Sequence, residues 1–159
     1  MAISNKFNSL LLSTGNKSET ATGYCTLYGD MSGGLSVISD IPKTLCYRLA
    51  LYINRNRETI PERIIKRPPT AELRFNQTDQ DTLPPYDELD RVVEAVIEKS
   101  LPFEEIIRTG NDPDVVKDIM KRITKNEYKR RQAPPGLKIT SKAFGYGRRF
   151  PIARGGKAY

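Results

Sequence analysis

Across 159 residues the chain carries 26 Lys and Arg against 19 Asp and Glu, a net charge of +7, with 38% hydrophobic residues, 11 Gly and 11 Pro. That is material for one domain with a single core and many turns. It holds no apolar run near the roughly 20 residues of a membrane span and no signal peptide at its start, so a cytoplasmic address and no membrane partner are expected. With no His and no CxxC pattern, Cys25 and Cys46 read as buried thiols rather than metal ligands or a disulfide.

In chain order, Phe7 through Thr14 reads as a short strand following almost directly on Met1, and contiguous Leu10, Leu11 and Leu12 predict burial on both faces of a parallel sheet. From Ser18 a helical stretch carries Tyr24, Leu27 and Tyr28 up to Gly29 and Asp30, and Ser32-Gly33-Gly34 supplies a loop. Leu35 to Ile38 is a second short strand. Pro42-Lys43-Thr44 then opens a helix with Leu45, Leu49 and Ile53 at helical spacing. Ile64 and Ile65 predict a third strand, stopped by Pro68-Pro69. The alternation of strands and helices argues for a parallel α/β sheet, one that looks incomplete with three short strands.

Residues 70–85 are polar and punctuated, a long loop of the kind that tends to be functional or mobile. A helix begins at Pro85-Tyr86-Asp87-Glu88, with Leu89, Val92, Val93, Val96 and Ile97 as its apolar stripe. Shorter helices follow over Phe103 to Arg108, stopped by Gly110, and from Pro113 to about Arg131. Beyond Gln132 the helical period fades, which predicts an extended arm ordered only if docked. Residues 121–159 hold twelve Lys and Arg against Glu127 alone, a net +11 that leaves −4 for residues 1–120. A basic quarter on an acidic body points to an anionic partner, either ligand phosphates or nucleic acid, with a solvated tail as the plainer alternative.

The segment Thr14-Gly15-Asn16-Lys17-Ser18-Glu19 sits at the carboxyl end of the first predicted strand, where open parallel sheets place their ligands. Thr14 offers a hydroxyl, Asn16 and Ser18 are candidate caps, and the helix start could hold an anion. Glu19 suits either the helix dipole or a Mg²⁺ ion beside phosphates. The segment is short, and neither GxGxxG nor GxxxxGK[ST] occurs in the chain.

Three blocks, "LSTGNKSETATGYCTLYGDMSGG" (12–34), "RPPTAELRFNQTDQDTLPPYDELD" (67–90) and "NEYKRRQAPPGLKITSKAFGYGRRFPI" (126–152), closely resemble the C-terminal part of the synthetase domain of glutamine-dependent NAD synthetases. The resemblance implies an α/β fold: a three-layer open parallel sheet of the adenine nucleotide alpha hydrolase (ATP pyrophosphatase) type, present as a truncated C-terminal portion. Residues 1–132 would be that portion of the domain and residues 133–159 its basic arm. It also implies ATP-dependent amidation of deamido-NAD through an adenylate, with ammonia from glutamine, ATP and Mg²⁺ as cofactors, and a homodimer or larger homo-oligomer.

Residue by residue, Thr14, Lys43 and Thr70 resemble the family's ATP contacts. Glu19 resembles the carboxylate associated with Mg²⁺ and the deamido-NAD site. Tyr24, Leu27 and Asp30 fall where the family lines its pyridine nucleotide pocket, and Lys129 resembles its C-terminal substrate-binding Lys. No protein nucleophile is needed, because the chemistry rests on stabilising phosphate charge. The family's Ser-Gly-Gly-x-Asp-Ser phosphate loop is absent from these 159 residues, as is its glutaminase domain, expected upstream in a longer chain. The piece alone is therefore expected to be inactive. The alternative is a small basic nucleic-acid-binding module in which Tyr128, Phe144 and Tyr146 of the C-terminal region stack on bases.

Overall fold

The computed structural model describes residues 1–71 and 73–153; Glu72, Arg154 and Lys157 of the segments above lie outside the described residues. The elements run α1 (Ala2–Phe7), β1 (Leu12–Ser13), α2 (Lys17–Thr22), β2 (Leu35–Ser36), α3 (Lys43–Ile53), α4 (Glu62–Lys66), a 3₁₀ turn (Asp79–Asp81), α5 (Tyr86–Ile97), α6 (Phe103–Arg108), α7 (Pro113–Lys125) and α8 (Glu127–Arg130). β1 and β2 are parallel, with Leu12 opposite Leu35 and Ser13 opposite Ser36. On its other side β2 meets the C-terminal segment, where Ser36 N–H donates to the Pro135 carbonyl at 2.9 Å and pairs with Gly136.

The core lies among the helices. Leu89, Val92, Val93, Val96 and Ile97 of α5 pack with Ile106 of α6, Val116, Ile119 and Ile123 of α7 and Ala21 of α2. Each helix contributes one apolar stripe at helical spacing, so burying the stripes against one another closes the core without a large sheet. Asp112 caps α7 by accepting from Asp114 and Val115 N–H, and Pro113 fits the first turn because its missing N–H would be unpaired there anyway.

Several sequence expectations are corrected. The strand placed at 7–14 shrinks to two residues, and Met1 is followed by a helix, with Leu10 65% and Leu12 49% exposed. β1 has only β2 beside it among the described residues, so nothing covers the outer leucines. The helix drawn from Ser18 to Tyr28 ends at Thr22, because Gly23 takes the left-handed conformation at φ 70° and returns its N–H to Glu19. The third strand at Ile64 and Ile65 is helix α4, opened by Pro61 and carrying an exposed Glu62–Lys66 pair at 2.8 Å one turn apart. The helix from Pro113 to Arg131 breaks at Asn126. The stripe of α3 stays half outside, with Leu49 39% and Ile53 49% exposed.

Two buried cations join the core to the rest. Arg130 donates to the carbonyls of Thr20 and Ala21 at 3.1 and 3.0 Å and pairs with Glu127 at 3.1 Å, while its guanidinium lies 4.7 Å from the Phe144 ring. Lys17, 1% exposed, reaches Asp40 at 3.0 Å, Glu98 at 2.9 Å, Thr140 Oγ1 at 2.6 Å and the Lys142 carbonyl at 3.1 Å. The arm is thus docked: Asp40 also accepts from the N–H groups of Ile139 and Thr140.

Gly23 has no room for a side chain. A Cβ there would stand 2.0 Å from Asn126 Cγ, whose amide donates to the Thr22 carbonyl at 2.8 Å. Gly23→Ala combines a left-handed backbone with loss of that contact and is expected to lower stability by about 2–4 kcal/mol. Urea unfolding measures it, and a loss below about 1 kcal/mol, the ordinary scale of a point change, would refute this packing.

Candidate functional site

A cleft of about 1240 Å³ opens beside the segments that follow β1 and α2. Thr14, Glu19, Tyr24, Leu27, Asp30, Lys43, Thr70 and Lys129 all line it, although the first and last lie 115 positions apart in the sequence. The folding logic is local: β1 delivers Thr14, the cap of α2 delivers Glu19, the turn after Gly23 delivers Tyr24 to Asp30, and the start of α3 delivers Lys43.

On the cleft lining, Asn16 and Glu19 form a reciprocal cap. The Asn16 side chain accepts from Glu19 N–H at 3.0 Å, and Glu19 Oε2 accepts from Asn16 N–H at 3.1 Å. Lys17 N–H donates to the Ile41 carbonyl at 2.9 Å, so the amides at 17 and 19 are already partnered and the helix start is no free anion cradle. Ser18 does not cap its own helix α2: its hydroxyl donates to Asp90 Oδ1 and accepts from Lys43 N–H at 2.9 Å. Asp90 Oδ2 accepts from Thr44 N–H and Oγ1 at 2.9 and 2.8 Å. These two side chains replace the cap that Pro42 cannot supply and set the first turn of α3, hence Lys43.

Lys43 Nζ donates to Glu19 Oε1 at 3.0 Å and lies 5.5 Å from the Tyr86 ring centre. Burial opposes the charge on Lys43, but the Glu19 carboxylate outweighs it and holds the ammonium above the ordinary Lys range. Lys129, in the basic C-terminal quarter, donates to the carbonyls of Gly23 and Cys25 at 2.8 and 2.7 Å. Asp30 accepts from Thr26 N–H at 2.6 Å and closes the turn on which Leu27 sits. Tyr24 OH accepts from Gln77 at 3.4 Å, linking the turn to the loop that bears Thr70.

Sequence reasoning missed Asp79 and Asp90. Asp90 carried a signal, being a carboxylate inside the apolar stripe of α5; Asp79 carried none beyond its place in the long loop. Asp79 is 3% exposed, lines the cleft, and accepts from Tyr86 OH at 2.5 Å. Among the described residues no three His, Cys, Asp or Glu side chains gather as a metal cluster, and no helix is long and apolar enough to cross a membrane.

Cys25 and Cys46 are free, half-buried and on the cleft wall. Burial pushes each thiol up to about 11. At pH 8 roughly one thiol in a thousand is then ionised, so native labelling by a disulfide reagent should run about a hundredfold slower than in urea. Equal rates in the two conditions would remove the burial argument.

A family model described as NAD synthase matches residues 1–133. The glutamine-dependent NAD(+) synthetase of Synechocystis sp. is 54% identical over 154 residues, which are 97% of this chain and 28% of that protein. Among solved structures, the glutamine-dependent NAD(+) synthetase of Cytophaga hutchinsonii aligns at a TM-score of 0.76 with 23% identity, over 97% of this chain and 26% of its own, a likeness of fold. The NH3-dependent NAD synthetase of Campylobacter jejuni aligns at 0.58 with 30% identity, over 80% of this chain and 45% of its own. The chain therefore spans little more than a quarter of the length of the curated relative.

Proposed function

Because the chain belongs to the NAD synthase family, we propose that its cleft is part of the site where ATP drives amidation of deamido-NAD to NAD. The observation that carries this reading is the gathering of the eight residues in one cleft, with the oppositely charged Glu19 and Lys43 paired among them. Thr14, Lys43 and Thr70 are assigned to ATP, and Glu19, Tyr24, Leu27, Asp30 and Lys129 to deamido-NAD. Residues 133–159 are assigned as a basic arm of the same domain, which itself is a C-terminal portion of the larger parallel-sheet fold.

In that reading the substrate carboxylate attacks the α-phosphorus of ATP, pyrophosphate leaves, and ammonia then displaces AMP from the adenylate. The described residues contribute electrostatics and positioning. Lys43 offsets phosphate charge, Asp90 and Ser18 hold the turn that aims it, and Lys129 fixes the carbonyls at the end of α2 beside the pyridine pocket. Mg²⁺ fits here through Glu19, since an ion that takes its other ligands from phosphates and water needs only one or two protein carboxylates. When bound it supplies charge neutralisation at the polyphosphate. Ammonia is assigned to a glutaminase domain upstream, in a cytoplasmic homodimer or larger assembly. The exposed apolar residues of α3, Leu51, Tyr52 and Ile53, offer such an assembly a surface to cover.

The nucleic-acid alternative has no comparable support. Phe144 lies against the buried Arg130 guanidinium rather than facing solvent, and Arg131 pairs with Glu127 at 2.8 Å. The test is to incubate the purified chain with ammonia, ATP, Mg²⁺ and deamido-NAD while measuring both ATP binding and NAD. Binding without turnover is expected, because the phosphate loop is absent. Steady NAD formation would overturn the inactivity of this piece, and no binding of either nucleotide would overturn the site.

A further inference from the structure

Among the described residues the cleft lining holds four cations, Lys43, Arg67, Arg74 and Lys129, against four carboxylates, Glu19, Asp30, Asp79 and Asp81. Three of the cations are engaged with the protein itself. Lys43 pairs with Glu19 at 3.0 Å, Lys129 donates to two carbonyls, and Arg67 has a partner of its own. The guanidinium of Arg74 has no partner among the described residues, and the side chain is exposed. An exposed Arg is ordinarily a solvated surface charge. Arg74 differs in lining a cleft whose other cations are committed.

Its backbone, by contrast, is held. Gln77 Oε1 accepts from the N–H groups of Leu73 and Arg74 at 3.0 and 3.2 Å, and Gln77 Nε2 donates to Tyr24 OH at 3.4 Å. Asn76 turns the chain in the left-handed conformation at φ 54°, which Asn tolerates, and Asp79 N–H closes the base of the loop on the Pro69 carbonyl at 2.9 Å. A loop already fixed loses less freedom when its side chain takes a ligand.

We propose that Arg74 is a phosphate-binding residue of the cleft, its guanidinium taking two oxygens of a di- or triphosphate group. The proposal rests on the reading of the cleft as a nucleotide site. Lys43 brings one ammonium, balanced by Glu19, so a polyphosphate carries more charge than it offsets. A planar guanidinium fork matches two phosphate oxygens at once, where an ammonium acts as a point charge. Two groups share this chemistry, the polyphosphate of ATP and the diphosphate bridge of deamido-NAD. The loop is tied to both assignments, since it carries Thr70 and reaches Tyr24 through Gln77.

The experiment measures binding of MgATP, deamido-NAD and adenosine by calorimetry to the unaltered chain, Arg74→Met and Arg74→Lys, at low and high salt. In Arg74→Met the ligand held by the guanidinium is expected to weaken by roughly five- to thirtyfold at low salt, a charge-assisted contact discounted for solvent screening. The loss should shrink as salt rises, and Arg74→Lys should recover part of it by restoring the charge without the fork. Adenosine, which has no phosphate, should bind all three proteins alike. A loss for MgATP alone would assign Arg74 to the triphosphate, a loss for deamido-NAD alone to the diphosphate bridge, and equal losses would place it between the two. If adenosine weakens as much as the phosphorylated ligands, the substitution has disturbed the loop, and the phosphate contact is overturned. Unchanged affinity of both phosphorylated ligands in Arg74→Met would also overturn the proposal while leaving the nucleotide site intact. Binding of neither to the unaltered chain would overturn both.

Discussion

Lys17→Met is expected to cost about 3–5 kcal/mol of stability, the scale for removing one partner of a buried ion pair. The ammonium is 1% exposed and answers two carboxylates, Asp40 and Glu98, at 3.0 and 2.9 Å. Without it Asp40 keeps its charge in a buried site, and Thr140 and Lys142 of the arm lose their anchor. Urea unfolding measures the loss, and trypsin cleavage after Lys138 should accelerate as the arm loosens. Adding Asp40→Asn to Lys17→Met should recover part of the loss, because only the more exposed Glu98 carboxylate is then left without its cation. A stability within about 1 kcal/mol of the unaltered chain would show that water reaches this knot.

The same carboxylate sets an acid limit. Burial raises the Asp40 carboxyl, but N–H bonds from Thr140 and Ile139 and the Lys17 ammonium outweigh it and hold it below the ordinary range. Its folded value lies below the unfolded value of about 3.9, so its contribution is complete above that pH and is lost as pH falls through the folded value. Urea midpoints should therefore drop below about pH 4 in the unaltered chain, and less steeply in Asp40→Asn.

The helices were legible wherever a stripe of at least four apolar residues recurred at helical spacing, as in α5, because only one face of such a helix can be buried. Ile64 and Ile65 are too short a run to reveal a period, and two β-branched residues in succession favour a strand. Tyr24 and Leu27 looked like a continued helix face because their spacing is helical; they are apolar because they line the cleft. Gly23 separates the two readings, and its need is tertiary, since the obstacle to a side chain is Asn126, far along the chain. The gathering of residues 14 to 129 in one cleft was implied by family resemblance and not by any local pattern. The Glu19–Lys43 pair joins positions 24 residues apart, a distance at which sequence alone carries no contact.

That pair yields the prediction with the largest effect on binding. Glu19 and Lys43 neutralise each other at 3.0 Å, each less than a fifth exposed. In the proposed site, phosphate must take Lys43 and a metal ion must take Glu19, so the two exchanges favour one another: a metal on Glu19 releases the ammonium that phosphate needs. Nucleotide should accordingly bind more tightly with Mg²⁺ than without it. Lys43→Met should weaken MgATP binding by roughly 30- to 100-fold, the value of a partly buried charge-assisted bond. Glu19→Gln should act in the opposite sense on ATP alone, because a Gln can maintain the cap with Asn16 while freeing Lys43. Metal-free ATP should then bind at least as tightly as to the unaltered chain, and the gain from Mg²⁺ should disappear. Calorimetry with and without Mg²⁺ on the three proteins separates these effects. If Glu19→Gln retains the full gain from Mg²⁺, the ion is held elsewhere, and the Glu19–Lys43 contact is a structural clasp rather than a pair of ligand-binding groups resting on each other.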